Sequence, residues 1–179
     1  MSIAALAPAR RVVTAIDAEG KSYLAEDGPG PAGFALPAAA FRSDNLWRTS
    51  AAPSPVAAAD DIALHRGVCP PAGGTVLRLI DFPPPMGTRE EMAALAKGLF
   101  EQLYPDARHQ PSERSAGMHE TDTIDYAIVL AGEIWAVMDR DETLLRAGDV
   151  LIQRGTNHGW ENRSEAVARV AFILIDAAR

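Results

Sequence analysis

Four histidines, His65, His109, His119 and His158, are the side chains of this sequence whose ordinary pKa lies near neutrality. Two of them stand beside runs that read as strands. His119 shortly precedes Asp125-Tyr126-Ala127-Ile128-Val129-Leu130, and His158 opens a later run. Strand alternation sets Asp125 on one face with Ala127 and Val129, and a carboxylate turned inward there demands a partner. Two imidazoles and one carboxylate are the ligand types of a facial triad, which holds a metal and leaves positions open for substrate, water or oxygen. The same three residues also read as hydrogen-bonded interior groups, with Asp125 accepting from Thr121 or Thr123. On the residues alone both readings stand.

Other side chains are candidates to meet a small molecule. Arg78 interrupts Val76-Leu77-Arg78-Leu79-Ile80, and a guanidinium among apolar neighbours is either paired with a carboxylate, the favoured reading, or awaiting an anionic ligand. Gln153 shares parity with Leu151 and is the better candidate for the interior, whereas Arg154 falls nearer the mouth of a barrel. Trp135 and Trp160 offer flat apolar walls or ordinary packing, and Tyr126 is a further candidate to orient substrate. Asn157 and Asn162 read as organisers of the turns beside His158. Cys69 sits beside Pro70 with no evident base and carries no nucleophilic role. No Gly-x-Ser-x-Gly elbow, phosphate-cradling Gly-x-x-x-x-Gly-Lys or Gly-x-Gly-x-x-Gly occurs, so hydrolase, kinase and dinucleotide chemistry find no support.

The elements that must position these residues are mostly strands. Arg11 to Ile16 and Lys21 to Ala25 flank the turn Asp17-Ala18-Glu19-Gly20 as a hairpin. Asn45 to Ser50 is a strand candidate, and Thr75 to Phe82 is a β-prone run stopped by Pro83-Pro84-Pro85. One helix is expected between Thr88 and Leu103. There Met92, Leu95, Leu99 and Leu103 recur at helical spacing, and Thr88 precedes Glu91 by a capping-box interval. From 125 onward short strands crowd together with tight turns and no helix between them, which implies antiparallel pairing in a barrel or double-sheet jelly roll.

Length and charge narrow the function classes. A chain of 179 residues fits one domain, and because 33 of its apolar residues are Ala, large side chains suffice for one core. A net charge of −7 argues against a phosphate-binding surface, so nucleic acid is not expected as a partner. With Cys69 the single cysteine, no intrachain disulfide forms, and a reducing, cytoplasmic setting is the default. No apolar run suggests a signal segment or a membrane span.

Two motifs, together covering roughly residues 117 to 176, resemble those of the cupin superfamily. That family's first motif runs His-x-His, a few residues, Glu, six residues, Gly. Here His119 takes the first histidine position, Asp125 stands where the family has Glu, and Gly132 follows after six residues. In the second motif Gly148-Asp149 leads to His158 and then Asn162. Thr121 occupies the second histidine position, so a three-histidine site is absent, and the stretch before His158 is one residue short and lacks the common proline.

The resemblance implies an all-β double-stranded β-helix or jelly-roll barrel forming a single domain. Residues 1–110 would be an N-terminal extension of added strands and the 88–103 helix, and 111–179 would carry the cupin motifs. It implies one divalent metal ion held by His119, Asp125 and His158, Fe2+ favoured over Zn2+, Mn2+ or Ni2+, with Arg78, Tyr126, Gln153 and Trp160 about the substrate. A homodimer is expected as well. The implied function is a metal-dependent small-molecule enzyme, dioxygenase-like or a Lewis-acid lyase or isomerase, acting on an enolisable or phenolic metabolite. The alternative is a non-catalytic cupin that binds a small metabolite as a sensor or accessory protein.

Overall fold

The computed structural model describes residues 4–31 and 33–179. The chain begins with a hairpin of β1 (Arg10–Ile16) and β2 (Ser22–Pro29), a two-stranded sheet of its own. Its turn is set locally, because Asp17 Oδ1 accepts from the Glu19 and Lys21 amides. Arg11 pins the hairpin to the rest of the molecule by donating to the Leu46 carbonyl and pairing with Asp60.

Then follow β3 (Phe34–Leu36), β4 (Phe41–Thr49), β5 (Thr75–Phe82) and the helix α1 (Arg89–Leu103). The remainder is β6 (Arg108–His109), β7 (His119–Glu120), β8 (Thr123–Ala131), β9 (Glu133–Met138), β10 (Glu142–Arg146), β11 (Val150–Arg154), β12 (His158–Glu161) and β13 (Ala168–Asp176). One sheet runs β11-β8-β13-β5-β4-β3 and the other β10-β9-β12-β7-β6, every pair antiparallel. The sheets do not close into a continuous barrel; they face each other as a jelly-roll sandwich. Val129, Val170 and Phe172 of the first sheet pack with Ile134, Ala136 and Leu145 of the second. Each such large side chain removed from water contributes about 1.5–3 kcal/mol.

Strand alternation explains which residues look inward. On β8, Thr123, Asp125, Ala127 and Val129 are buried while Ile124, Tyr126 and Leu130 are exposed. The inward set is small or polar, which leaves space between the sheets near Asp125. The outward set continues across the sheet into exposed Val150 and Ile152 of the edge strand β11. The two motif glycines make the turns that return these strands. Gly132 (φ 70°) joins β8 to β9, where a Cβ would lie 2.8 Å from the Val167 carbonyl oxygen, and Gly148 (φ 98°) precedes β11.

The helix forms where the spacing predicts, and its start is a true capping box. The Thr88 hydroxyl accepts from the Glu91 amide and the Glu91 carboxylate accepts from the Thr88 amide. None of its residues is fully buried, because its apolar stripe faces a cavity. Among the described residues no helix is long and apolar enough to cross a membrane.

Candidate functional site

The two histidines singled out in the sequence meet. His119 on β7 and His158 on β12 are cross-strand partners, with ring centroids 4.3 Å apart. Each ring is held by its own local backbone. His119 Nδ1 lies 2.8 Å from the Gly117 carbonyl oxygen, and His158 Nδ1 lies 3.0 Å from that of Thr156. A carbonyl only accepts, so the proton sits on Nδ1 in both rings and each Nε2 keeps its lone pair. Neither Nε2 is hydrogen-bonded among the described residues. Burial pushes His119 down to about 3, with the neighbouring His158 adding to the effect, and burial pushes His158 down to about 4. Both imidazoles are neutral at physiological pH.

Asp125 looks into the same space from β8. Burial pushes its carboxyl up to about 6, opposed by a hydrogen bond from Thr123 and by the charge of Arg78. Its Oδ1 is buried and has no hydrogen-bond partner among the described residues. Thr121, in the position of the motif's second histidine, is turned to Thr123, their hydroxyls 2.7 Å apart.

These groups share a cavity of about 540 Å³. His119, His158, Asp125 and Arg78 line it together with other polar residues such as Glu113, Arg114, Glu161 and Asn162, and Leu95, Leu99, Phe100, Trp160, Phe172 and Leu174 make it mostly apolar. An aromatic run follows one side. His109 stacks on Phe100 at 4.2 Å, Phe100 approaches His119 at 4.8 Å, and Trp160 meets His158 edge-on and continues to Phe172 at 5.2 Å. The size and character suit a small organic molecule.

Trp160 lines the cavity as expected, but Tyr126 and Gln153 have other places. Tyr126 follows Asp125 on the same strand, so its ring points outward and is 40% exposed, away from the cavity. Gln153 does point inward, yet its Nε2 is spent on Thr156, donating to the carbonyl oxygen at 3.0 Å and bonding the hydroxyl as well. Because that carbonyl also accepts from His158, Gln153 fixes the turn that aims the histidine. Arg78 lines the cavity, but it forms no ion pair with a carboxylate among the described residues, contrary to the pairing favoured from its apolar context. Trp135 lies outside the cavity under the Arg163 guanidinium. Asn162 organises its turn by donating to the Phe82 and Ala166 carbonyls, and Asn157 donates to Asp139. Cys69 is inert: burial, with Asp106 beside it, pushes the thiol up to about 11.

Two aromatic residues of the site, Phe100 and Tyr104, carry no signal in the motifs. Their only trace in the sequence is their place at the end of the α1 stripe. The metal implied by the cupin resemblance meets a donor set that fits in part. Two imidazole Nε2 atoms are uncommitted, but among the described residues no three His, Cys, Asp or Glu side chains converge as a metal centre requires.

With this fold and site in view, similarities to known proteins fall into place. No protein-family profile matches the chain. A cupin-domain-containing oxidoreductase, fogC of Aspergillus ruber, is 26% identical over 181 residues, covering 97% of this chain and 75% of that protein. The phomopsin biosynthesis cluster protein C' of Diaporthe leptostromiformis is 52% identical over 62 residues, 34% of this chain and 33% of the relative. The chain thus matches about a third of the length of such relatives. Among solved structures, a Cupin 2 conserved barrel domain protein from Salinispora arenicola superposes with TM-score 0.42 at 14% identity, covering 78% of each chain. The facing antiparallel sheets and the two motif turns are those of a cupin-type jelly roll, and over most of its length the chain is similar to a cupin-domain-containing protein.

Proposed function

We propose that this chain is a small-molecule cupin enzyme that performs proton transfer on an enolisable or phenolic metabolite. The observation that carries the reading is the meeting of two uncharged imidazoles, each with an unshared Nε2 lone pair, with a carboxyl poised near pH 6 on the wall of one apolar cavity. A neutral Nε2 accepts a hydrogen bond, so it selects a ligand that donates one, as an enol or phenol hydroxyl does. Asp125 is the general base: a carboxylate raised toward neutrality takes a proton from carbon or oxygen more readily than an ordinary one, and its unpartnered Oδ1 is the accepting atom. The protonated Asp125 then returns that proton at another atom of the ligand, which completes an isomerisation or assists a leaving group. The apolar walls exclude water from the exchange.

A second reading is favoured by the same two unshared lone pairs. Two imidazoles supply two of the ligands a divalent ion needs, and relatives such as fogC are named oxidoreductases. The two readings separate in one experiment. Purified protein is analysed for metal per chain, then incubated in D2O with a panel of enolisable and phenolic compounds, and deuterium incorporation is read by NMR. Incorporation that survives chelation and disappears in Asp125→Asn supports the proton-transfer reading. Near-stoichiometric metal, lost in His158→Ala along with all turnover, replaces it with the metal-dependent one. Binding without exchange in any compound overturns both in favour of a non-catalytic binding protein.

A further inference from the structure

The cavity contains a charge that the proton-transfer chemistry does not use. Arg78 on β5 is 2% exposed, and its partners are all neutral. Nε donates to Asn45 Oδ1 at 2.7 Å and Nη2 to the Gly67 carbonyl at 2.7 Å, while Nη2 and His65 Nε2 lie 3.4 Å apart. The guanidinium lies over the Tyr104 ring, 4.9 Å from its centroid, and Tyr104 is itself fixed through its hydroxyl to Ser43. Nη1 has no hydrogen bond among the described residues.

The same sheet pairs other well-covered arginines conventionally, as it does Arg48 on β4 with Asp61. Arg169 on β13 meets Asp81 through two bonds, at 2.6 and 2.8 Å. Near Arg78 the carboxylates are placed otherwise. Asp106 spends both oxygens on the Val68 and Cys69 amides, and Asp125 acts on Arg78 only from beyond ion-pair distance. Arginine does not shed its proton, so the charge stays in the apolar wall, and a buried charge without a counter-ion is costly. Asn45, Gly67 and Tyr104 fix the fork's orientation without neutralising it, an arrangement suited to an incoming anion.

We infer that Arg78 is the anchor for a carboxylate, and that the metabolite this cavity takes is an amphipathic acid with a carboxylate at one end and an apolar, preferably aromatic, body. The guanidinium receives the carboxylate, and the walls formed by Leu99, Phe100, Trp160 and Phe172 receive the body. This rests on the cavity being the binding site named above and specifies the ligand for it.

The test compares 3-phenylpropanoate with 3-phenylpropanamide, which share shape and differ in charge, by calorimetric titration of the full chain at pH 7.5. The acid is expected to bind at least tenfold more tightly than the amide, with that preference falling to near unity in Arg78→Gln. It is expected to persist in Arg146→Gln, which changes an exposed arginine outside the cavity. The comparison in the unaltered protein does not depend on a variant folding, and Arg78→Lys, which keeps the charge but loses the fork, is expected to retain part of the preference. Equal binding of acid and amide overturns the anchor while leaving the cavity as a binding site. A preference that survives in a folded Arg78→Gln also overturns it. Binding of neither compound at 10 mM overturns the anchor together with the cavity reading on which it rests.

Discussion

His119 and His158 face each other across neighbouring strands with ring centroids 4.3 Å apart, and each is aimed by a carbonyl two residues before it, those of Gly117 and Thr156. Both rings are thereby committed to one tautomer, with the same ring nitrogen left to the cavity chemistry. The pairing is set by backbone register, so it exists before any ligand arrives.

Stability should fall in acid because of this pair. Both folded-state values lie below the ordinary imidazole value, so the unfolded chain takes up protons first as pH drops below about 6.5. The stability held by each neutral ring is complete above about 6.5 and lost progressively as pH falls toward 4 and 3. By pH 5 each histidine is expected to cost about 2 kcal/mol relative to pH 8. Urea midpoints measured from pH 8 to 5 check this, and His158→Gln should remove about 2 kcal/mol of the acid-side loss.

Asp125 works in the opposite sense. Its folded value is raised to about 6, so the cost of burying its charge is absent below about pH 4 and fully present above about pH 6. Asp125→Asn should therefore stabilise the fold by about 2–3 kcal/mol at pH 8 and by almost nothing at pH 4. Chemical denaturation at the two pH values measures the difference. The same variant is expected to abolish proton exchange, the signature of a functional group held at a cost in stability.

Asn162 is the structural counterpart. It is 8% exposed, its Nδ2 donates to the Phe82 and Ala166 carbonyls, and its Oδ1 accepts from the Ser164 amide and hydroxyl. Asn162→Ala removes the side-chain donor from the half-buried Phe82 carbonyl and one of two from the Ala166 carbonyl, and should destabilise by about 1–3 kcal/mol. A thermal melt would show the loss, since the side chain ties together the turn between β12 and β13.

Much of this arrangement is legible in the residues. Thr75–Phe82 is β-prone and followed by three prolines, and it is β5 to the residue; Thr88 and Glu91 announce α1, and they cap it. The histidine pair is legible because two motifs carry it and both motif glycines take the left-handed turns those motifs need. Parity places Asp125 inside, and by the same rule it turns Tyr126 outward, so the two cannot serve one cavity. What the residues do not reveal is anything decided by docking. Phe100 and Tyr104 become cavity wall only because α1 lies where it does, and Arg78 is left with neutral partners only because Asp106 is drawn to the Val68 and Cys69 amides. Gln153 faces inward as its parity suggests, but the nearby Thr156 claims it before any ligand can.

The helix α1 has a consequence of its own. It secures its first turn by local capping, yet it buries none of its residues completely, and Met92, Leu95, Leu99 and Phe100 look into a hollow. Whatever fills that hollow becomes a removable piece of the hydrophobic core, and the helix is the element that gains a packing partner from it. Occupancy and helical order are then two readings of one equilibrium: a ligand at a hundred times its dissociation constant adds about 2.7 kcal/mol to the folded state. The wall nearest the visitor is the part of the protein that the visitor makes most rigid.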